Sequence, residues 1–243
     1  SMKWALIFGA SGDIGSKVAE DLADAGWSLY LHYYQNREKI DEISQKLFKK
    51  HPKQDFITLQ YDMTDADNIS KICDSIFGKL NAVVFSEGTT YYGLFSELSP
   101  DNLDMMITMQ LRTPLRIVQS LQDKLAEAEF GRIVFVGSVY GGAGSAMEVG
   151  YSTVKGALSA FSRAYAKEVA SLGITVNVIA PGAVDTQMNK IFSESEKADI
   201  DAEIPIGRFA SPDEISYWVL VLLSEKAGYL TGQTLYATGG WLK

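Results

Sequence analysis

Long apolar runs are missing from this chain. No stretch approaches the ~20 residues that a membrane span needs, so no membrane partner is expected. Cysteine is nearly absent too: the lone Cys73 excludes an intrachain disulfide framework and fits a reducing compartment. Its plain reading is a small buried apolar side chain. Two histidines and one cysteine show no metal-ligand spacing, and no metal is expected. Positive charge is also short, with 22 Lys and Arg against 30 Asp and Glu and a formal charge of −8. Nucleic-acid partners require a basic surface to neutralise phosphates, so none is expected. The N-terminus lacks the charged-then-apolar layout of a signal peptide, and the expected location is cytoplasmic.

What the chain does have is regular alternation. No repeat, low-complexity run or linker divides it, and its 243 residues read as one domain. Short apolar runs at 4–8, 28–34, 56–60, 82–86, 132–137, 174–180 and 234–238 alternate with helical patterns at 14–25, 37–50, 66–78, 100–128, 151–171 and 212–224. Strands that are apolar throughout and separated by helices predict a parallel sheet covered on both faces. Right-handed crossovers make it an α/β fold: a single-domain, Rossmann-like doubly wound sheet of about seven strands. Ligands of such sheets sit beyond the carboxyl ends of the strands. There the loops beginning at Gly9, Tyr34, Asp62, Ser86, Ser138 and Pro181 converge.

After the first run comes FGASGDIGSKVAEDLADAG. Gly9 permits a tight turn, Gly15 close helix–strand packing, and the helix N-terminus offers free N–H groups to a pyrophosphate. Gly9, Ser11, Asp13, Ile14 and Gly15 are the candidate cofactor contacts. The GxxGxxG spacing is weaker than GxGxxG, and a plain strand–turn–helix corner is the alternative. An NAD site places a carboxylate at the end of the second strand. Here HYYQNREK has none before Glu38, and Arg37 suits a 2′-phosphate. NADP(H) is favoured over NAD(H); otherwise Arg37 is a solvated first-turn residue.

The stretch GSVYGGAGSAMEVGYSTVKGAL holds Ser138, then Tyr151 and Lys155 at i and i+4 on one helical face. With 12 tyrosines in the chain, about 0.8 such Tyr–Lys pairs arise by chance, so the setting decides. Ser138 ends a buried strand, Gly141, Gly142 and Gly144 let the next loop fold back, and Tyr151 opens the following helix. A carbonyl that receives hydride needs a proton on its oxygen. A free tyrosine, with a pKa of about 10, exchanges protons poorly at neutral pH, and a nearby ammonium lowers that value. Lys155 is that ammonium, Tyr151 the acid/base, and Ser138 a hydrogen-bond donor to the same oxygen. The structural alternative is a turn residue, a half-buried aromatic and a surface lysine.

With the opening GASGDIG, Asp62 in YDMTD, TVNVIAPGAVDT and the closing IGRFASPDEISYWVLVLLSEKAGYLTGQTLYATGGW, these residues resemble the short-chain dehydrogenase/reductase family over essentially the whole length. The pattern is closest to its 3-oxoacyl-[acyl-carrier-protein] reductases. The resemblance implies that Asp62 and Met63 face the adenine and that Gly88 lets the adenine ribose approach. It implies that Pro181, Gly182, Val184 and Thr186 hold the carboxamide end of the nicotinamide. Tyr151 and Lys155 count as cofactor contacts as well, Lys155 through the nicotinamide ribose. Asn177 is expected to brace the sheet. A homotetramer is implied, paired through the helices at 100–128 and 151–171 and the C-terminal segment.

Four places depart from the family pattern. Phe8 stands for Thr, and Asp13 for the middle glycine; a carboxylate there costs pyrophosphate affinity unless it turns outward or caps the helix. Gly12 also occupies a position that is often basic in NADP enzymes. FSEG (85–88) replaces NNAG. Gln110 stands where an Asn bends the long helix and holds a water behind the lysine, so it joins the candidate catalytic set. ATGG (237–240) replaces VDGG.

The segment at about 187–204 is read as a substrate lid. Its Met188, Ile191, Phe192, Ile200 and Ile204 are candidates for an apolar pocket, with Tyr91, Tyr92 and Phe95 on the other wall; ordinary packing is the alternative. The expected partner is a small-molecule carbonyl or acyl thioester. The lid carries five acids (Glu194, Glu196, Asp199, Asp201, Glu203) against Lys190 and Lys197. Glu129 and Leu172 stand where carrier reductases place Arg. Both features argue against docking an acidic acyl-carrier protein. Arg112, Arg116, Lys124, Arg163 and Lys167 are the remaining basic candidates. The expected activity is NADP(H)-dependent hydride transfer between nicotinamide and a carbonyl or secondary alcohol, best matched by a 3-oxoacyl thioester. One alternative is a catalytically weak or inactive NADP(H)-binding regulatory or scaffold protein; another is a dehydratase or epimerase.

Overall fold

Runs of Val, Ile, Leu and Phe with almost nothing polar between them form the strands: β1 (Trp4–Phe8), β2 (Ser28–Tyr33), β3 (Phe56–Gln60), β4 (Ala82–Phe85), β5 (Gly131–Val136), β6 (Ile174–Pro181) and β7 (Thr234–Ala237). The computed structural model describes residues 2–243, the side chain of Met188 excepted. All strand pairs are parallel, in the order β3-β2-β1-β4-β5-β6-β7. The order reverses between β1 and β4, where open α/β sheets bind their ligands.

Alternate residues of each strand serve opposite faces. Ile7, Leu29 and Val134 pack with Val18 and Leu22 of α1 (Asp13–Asp24), Ile40 of α2 (Arg37–Lys50) and Val219 of α9 (Pro212–Leu223). On the other side Leu6, Val83 and Phe135 pack with Ile117 of α5 (Thr113–Glu127) and Leu158 of α7 (Val149–Val169). One set of strands thus supports two helical layers, as the alternation predicts.

The helical expectation at 66–78 shrinks to α3 (Ser70–Cys73). Side chains take the backbone groups that a longer helix would use. Asp65 Oδ1 accepts from Asn68 N at 3.1 Å, and the Tyr30 hydroxyl accepts from Phe77 N at 3.1 Å while donating to Phe77 O at 2.9 Å. The run at 100–128 is helical but not uniform: α4 (Pro100–Ile107) passes through a π-turn at Thr108–Arg112 into α5. The glycine loop after Ser138 contains a short helix, α6 (Val139–Ala143), and the segment read as a lid forms a 3-10 turn (Gln187–Ile191) and α8 (Glu194–Glu203).

Candidate active site

The turn after β1 is built on close backbone approaches. Gly9 has φ +76°, and a Cβ there would meet Glu87 N at 2.8 Å; a Cβ on Gly15 would collide with Gly9 O. His32 secures the turn from β2. Its Nε2 donates to Tyr61 O at 2.8 Å, which leaves Nδ1 to accept from Gly9 N at 3.3 Å. Burial pushes the His32 pKa down to about 4, so the ring stays neutral. Gly12 opens α1 without any side-chain cap, so the N–H groups of the first turn are open to an anion. Asp13 turns away from them: its Oδ2 accepts from Gln187 N at 2.8 Å, joining the glycine loop to the lid. Ser11 and Ile14 flank this turn, both partly buried. Loop and helix terminus together fit a dinucleotide's pyrophosphate.

The residues expected at the adenine are less committed. Asp62 Oδ1 accepts from the Thr64 amide at 2.9 Å and its hydroxyl at 2.7 Å, while Thr113 Oγ1 donates to Met63 O at 2.7 Å. Arg37 is the first residue of α2; its side chain is 76% exposed and touches Asp41 at 3.9 Å. In the segment expected to hold the carboxamide, Gly182 N donates to Ala237 O at 3.1 Å, and Val184 bridges Ala210. A Cβ on Gly182 would lie 3.1 Å from Thr238 Cα, so the chain after Pro181 passes directly over the end of β7. Thr186 then precedes the lid's 3-10 turn. Asn177 braces the sheet as expected, donating to Leu230 O at 2.9 Å and accepting from Gln233 N at 3.0 Å.

Ser138, Tyr151 and Lys155 come together at the end of β5. Ser138 Oγ caps α6 by accepting from Tyr140 N at 3.1 Å, which leaves its proton for another acceptor. Lys155 Nζ lies 5.5 Å from the centre of the Tyr151 ring and donates to Val136 O at 3.1 Å. Burial, reinforced by Glu148, pushes the phenol up to about 12, and the Ser138 hydroxyl acts against that shift. Burial lowers the Lys155 pKa, and the charge of Glu87 opposes that. Gln110 sits inside the π-turn. Its Nε2 donates to Thr89 O at 2.6 Å, and its buried Oε1 has no hydrogen-bond partner. A Cβ on Gly88 would meet that oxygen at 3.0 Å and Lys155 Nζ at 3.2 Å, so Gly88 stands where both converge.

A family model described as enoyl-(acyl carrier protein) reductase matches residues 9–242. The chain belongs to the short-chain dehydrogenase/reductase family. It is 41% identical over 239 residues to the uncharacterized oxidoreductase YmfI of Bacillus subtilis, covering 98% of each chain. It is 33% identical to the 3-oxoacyl-[acyl-carrier-protein] reductase FabG of Salmonella typhimurium, over 98% of this chain and 96% of that one. Among solved structures it is similar to YwfH, an NADPH-dependent reductase involved in bacilysin biosynthesis (TM-score 0.92, 27% identity, 99% and 98% coverage). It is similar also to a short-chain dehydrogenase/reductase from Serratia marcescens (TM-score 0.91, 26% identity, 99% and 98% coverage). The family is one of nicotinamide-dependent oxidoreductases.

As a short-chain dehydrogenase/reductase the chain has residues that the sequence alone left unassigned. Glu87 and Glu148 are within electrostatic reach of Lys155 and Tyr151, and Tyr140 faces Trp241 with ring centres 6.0 Å apart. Ser86, in the altered FSEG, donates to Phe8 O at 2.6 Å and so ties β4 to β1. Of the substrate-side candidates, Tyr91 Oη donates to Met105 Sδ at 3.6 Å, and Phe192 is half-buried. Tyr92 is 76% and Ile191 82% exposed, whereas Ile204 is a core residue rather than part of an open wall. The side chain of Met188 lies outside the described residues. Three of the basic candidates are engaged locally. Arg112 and Arg116 pair with Asp67 at 3.0 and 3.9 Å, and Lys124 donates to Ile76 O and Gly78 O.

Proposed function

We propose that this chain is an NADP(H)-dependent reductase of carbonyl compounds, working in reverse on secondary alcohols, with a 3-oxoacyl thioester as its best-matched substrate. The observation that carries the reading is the shared enclosure of Ser138, Tyr151 and the buried Lys155 at the carboxyl end of β5. When bound, the nicotinamide supplies the hydride that reduces the carbonyl carbon. Tyr151 gives its phenolic proton to the carbonyl oxygen, and Ser138 donates a hydrogen bond to the same atom. Burial, reinforced by Glu148, holds the phenol too basic for that exchange at neutral pH, and the Ser138 hydroxyl acts against that shift; an ammonium at Lys155, 5.5 Å from the ring centre, favours the phenolate as well. Gly9, Gly15 and the uncapped start of α1 would hold the pyrophosphate, with Asp62 and Met63 at the adenine and the segment from Pro181 to Thr186 at the carboxamide. Lys155 would bind the nicotinamide ribose, and the partnerless Gln110 Oε1 would accept from the relay behind it.

Arg37, together with the lack of a carboxylate between β2 and Glu38, supports NADP(H) over NAD(H). A free ketone or coenzyme A thioester is favoured over a carrier-bound one, because the lid is acidic and Arg112, Arg116 and Lys124 are already engaged. The test pairs cofactor titration with turnover. NADPH should quench protein fluorescence at lower concentration than NADH. Tyr151→Phe should then lose activity by roughly 10²–10⁴-fold with NADPH affinity nearly unchanged. If wild type and variant are equally inert yet bind NADPH, the regulatory reading replaces this one.

A further inference from the structure

Glu87 is a partly buried ionisable group at the centre of the sheet's carboxyl edge, and the reaction as described does not use it. Its backbone is fixed from two sides. A Cβ on Gly9 would lie 2.8 Å from Glu87 N, while the next residue, Gly88, faces Gln110 Oε1 and Lys155 Nζ at 3.0 and 3.2 Å from its own Cβ position. Glu87 Oε2 is shut off from solvent and meets no hydrogen-bond partner. Lys155 is 4% exposed, and among the described residues its ammonium has one acceptor, Val136 O at 3.1 Å, for three protons. Gly88 thus brings this stretch of chain beside Lys155 Nζ, and the Glu87 carboxylate and the ammonium, of opposite sign, lie within electrostatic reach of each other. Burial disfavours the charge on each; the backbone amides of Glu87 and Ser86 and the Lys155 charge favour the Glu87 carboxylate, and that carboxylate in turn favours the Lys155 ammonium.

We propose that Glu87 is a positioning residue whose carboxylate keeps Lys155 in its ammonium form and so governs the pH range over which Tyr151 exchanges its proton. The inference rests on the acid/base reading of Tyr151 and Lys155 given above. Other groups around the pair do not duplicate the effect. From α7 comes Tyr151; Glu148, before α7, and Tyr140, on α6, both act to hold the phenol's proton in place. The π-turn contributes the uncharged Gln110, and β2 contributes His32, neutral and bonded to Gly9 N. In the NNAG pattern an alanine occupies this position and carries no charge, so the device belongs to the FSEG of this chain.

Without the carboxylate, desolvation acts on Lys155 unopposed. The amine then loses its proton at lower pH, and Tyr151 loses the cation that makes it an adequate acid. The experiment is the pH dependence of kcat/KM for NADPH-driven reduction of a 3-oxoacyl coenzyme A thioester by wild type, Glu87→Gln and Glu87→Asp, with NADPH binding followed in parallel. In Glu87→Gln the limb where reduction falls with rising pH should move toward acid by on the order of one unit. Glu87→Asp, which keeps the charge, should restore most of that shift. A Glu87→Gln limb that superimposes on the wild-type limb overturns the inference, while wild-type turnover and the Tyr151→Phe loss leave the reaction itself standing. An inert wild type overturns both. If Glu87→Gln does not fold, wild-type protein with ¹³C-labelled glutamate carboxyls decides instead. A glutamate carboxyl that is already ionised and whose chemical shift follows the limb supports the inference, and the absence of any glutamate shift that follows the limb overturns it.

Discussion

His32 shows how one buried side chain outside the acid/base set holds the cofactor loop in place. Tyr61 O can only accept, so the proton of the neutral ring sits on Nε2 and the bare Nδ1 receives Gly9 N. Protonation would put a second donor against the Gly9 amide. Its pKa is near 4 folded against an ordinary 6.5, so the unfolded chain binds a proton first as pH falls. The stabilisation is complete above about pH 6.5 and is lost progressively toward pH 4, by roughly 3 kcal/mol at the limit. Urea denaturation across that window should show a slope that His32→Gln flattens. An unchanged slope in the variant would place the acid sensitivity elsewhere. Neither this role nor that of Glu87 was legible beforehand, because a lone histidine or glutamate carries no local pattern. Ser138, Tyr151 and Lys155 were, since their spacing places all three at the end of β5 once the strand is recognised.

Phe8 and Phe85 looked like two separate departures in the sequence, yet they are one feature. They are cross-strand neighbours, stacked with ring centres 4.9 Å apart at 4°, and Phe85 stacks in turn on Phe135 at 5.1 Å and 14°. Each substitution makes sense through the other, which only strand order reveals. The five inner strands were legible because both their faces are buried and little polar interrupts them, and the edge strands β3 and β7, more exposed, by their short apolar runs. Residues 66–78 misled because Asp65 and Tyr30 capture backbone groups there, one of them from a distant strand. The link between α1 and the lid was equally out of view: Asp13 and Gln187 are 174 positions apart in the chain. That bond yields a direct expectation. Asp13→Gly should release the lid's 3-10 turn by about 1 kcal/mol, and limited proteolysis within 187–204 should quicken roughly fivefold. Asp13→Asn, which keeps an acceptor, should cleave at close to the wild-type rate. Equal cleavage in all three proteins would mean that the bond does not restrain the lid.

The outer edge of the molecule is unfinished in a single copy of the chain. β7 is four residues long and last in the sheet, so one side of it presents unpaired N–H and C=O groups. Around it Tyr217, Trp218 and Tyr236 are 59%, 43% and 37% exposed, and a cavity of about 500 Å³ opens between β7 and α9 beside Trp218. Its walls include Ile206, Trp218 and Leu235, and Ser138, Tyr151 and Lys155 do not line it. Covering this edge with a second copy of the chain would satisfy both the strand and the aromatics, and the homotetramer expected from the sequence, paired in part through the C-terminal segment, would place such a contact here. The edge also reaches the acid/base segment: a Cβ on Gly142, in α6, would run into the Tyr236 hydroxyl. Loss of the contact should therefore loosen the segment that begins at Ser138. Trp218→Glu should shift sedimentation velocity from a tetramer to smaller species, and kcat should fall with dilution in the variant more steeply than in wild type. A wild type that sediments as a monomer at micromolar concentration, or a variant that stays tetrameric with unchanged kcat, would show that this edge is capped in some other way.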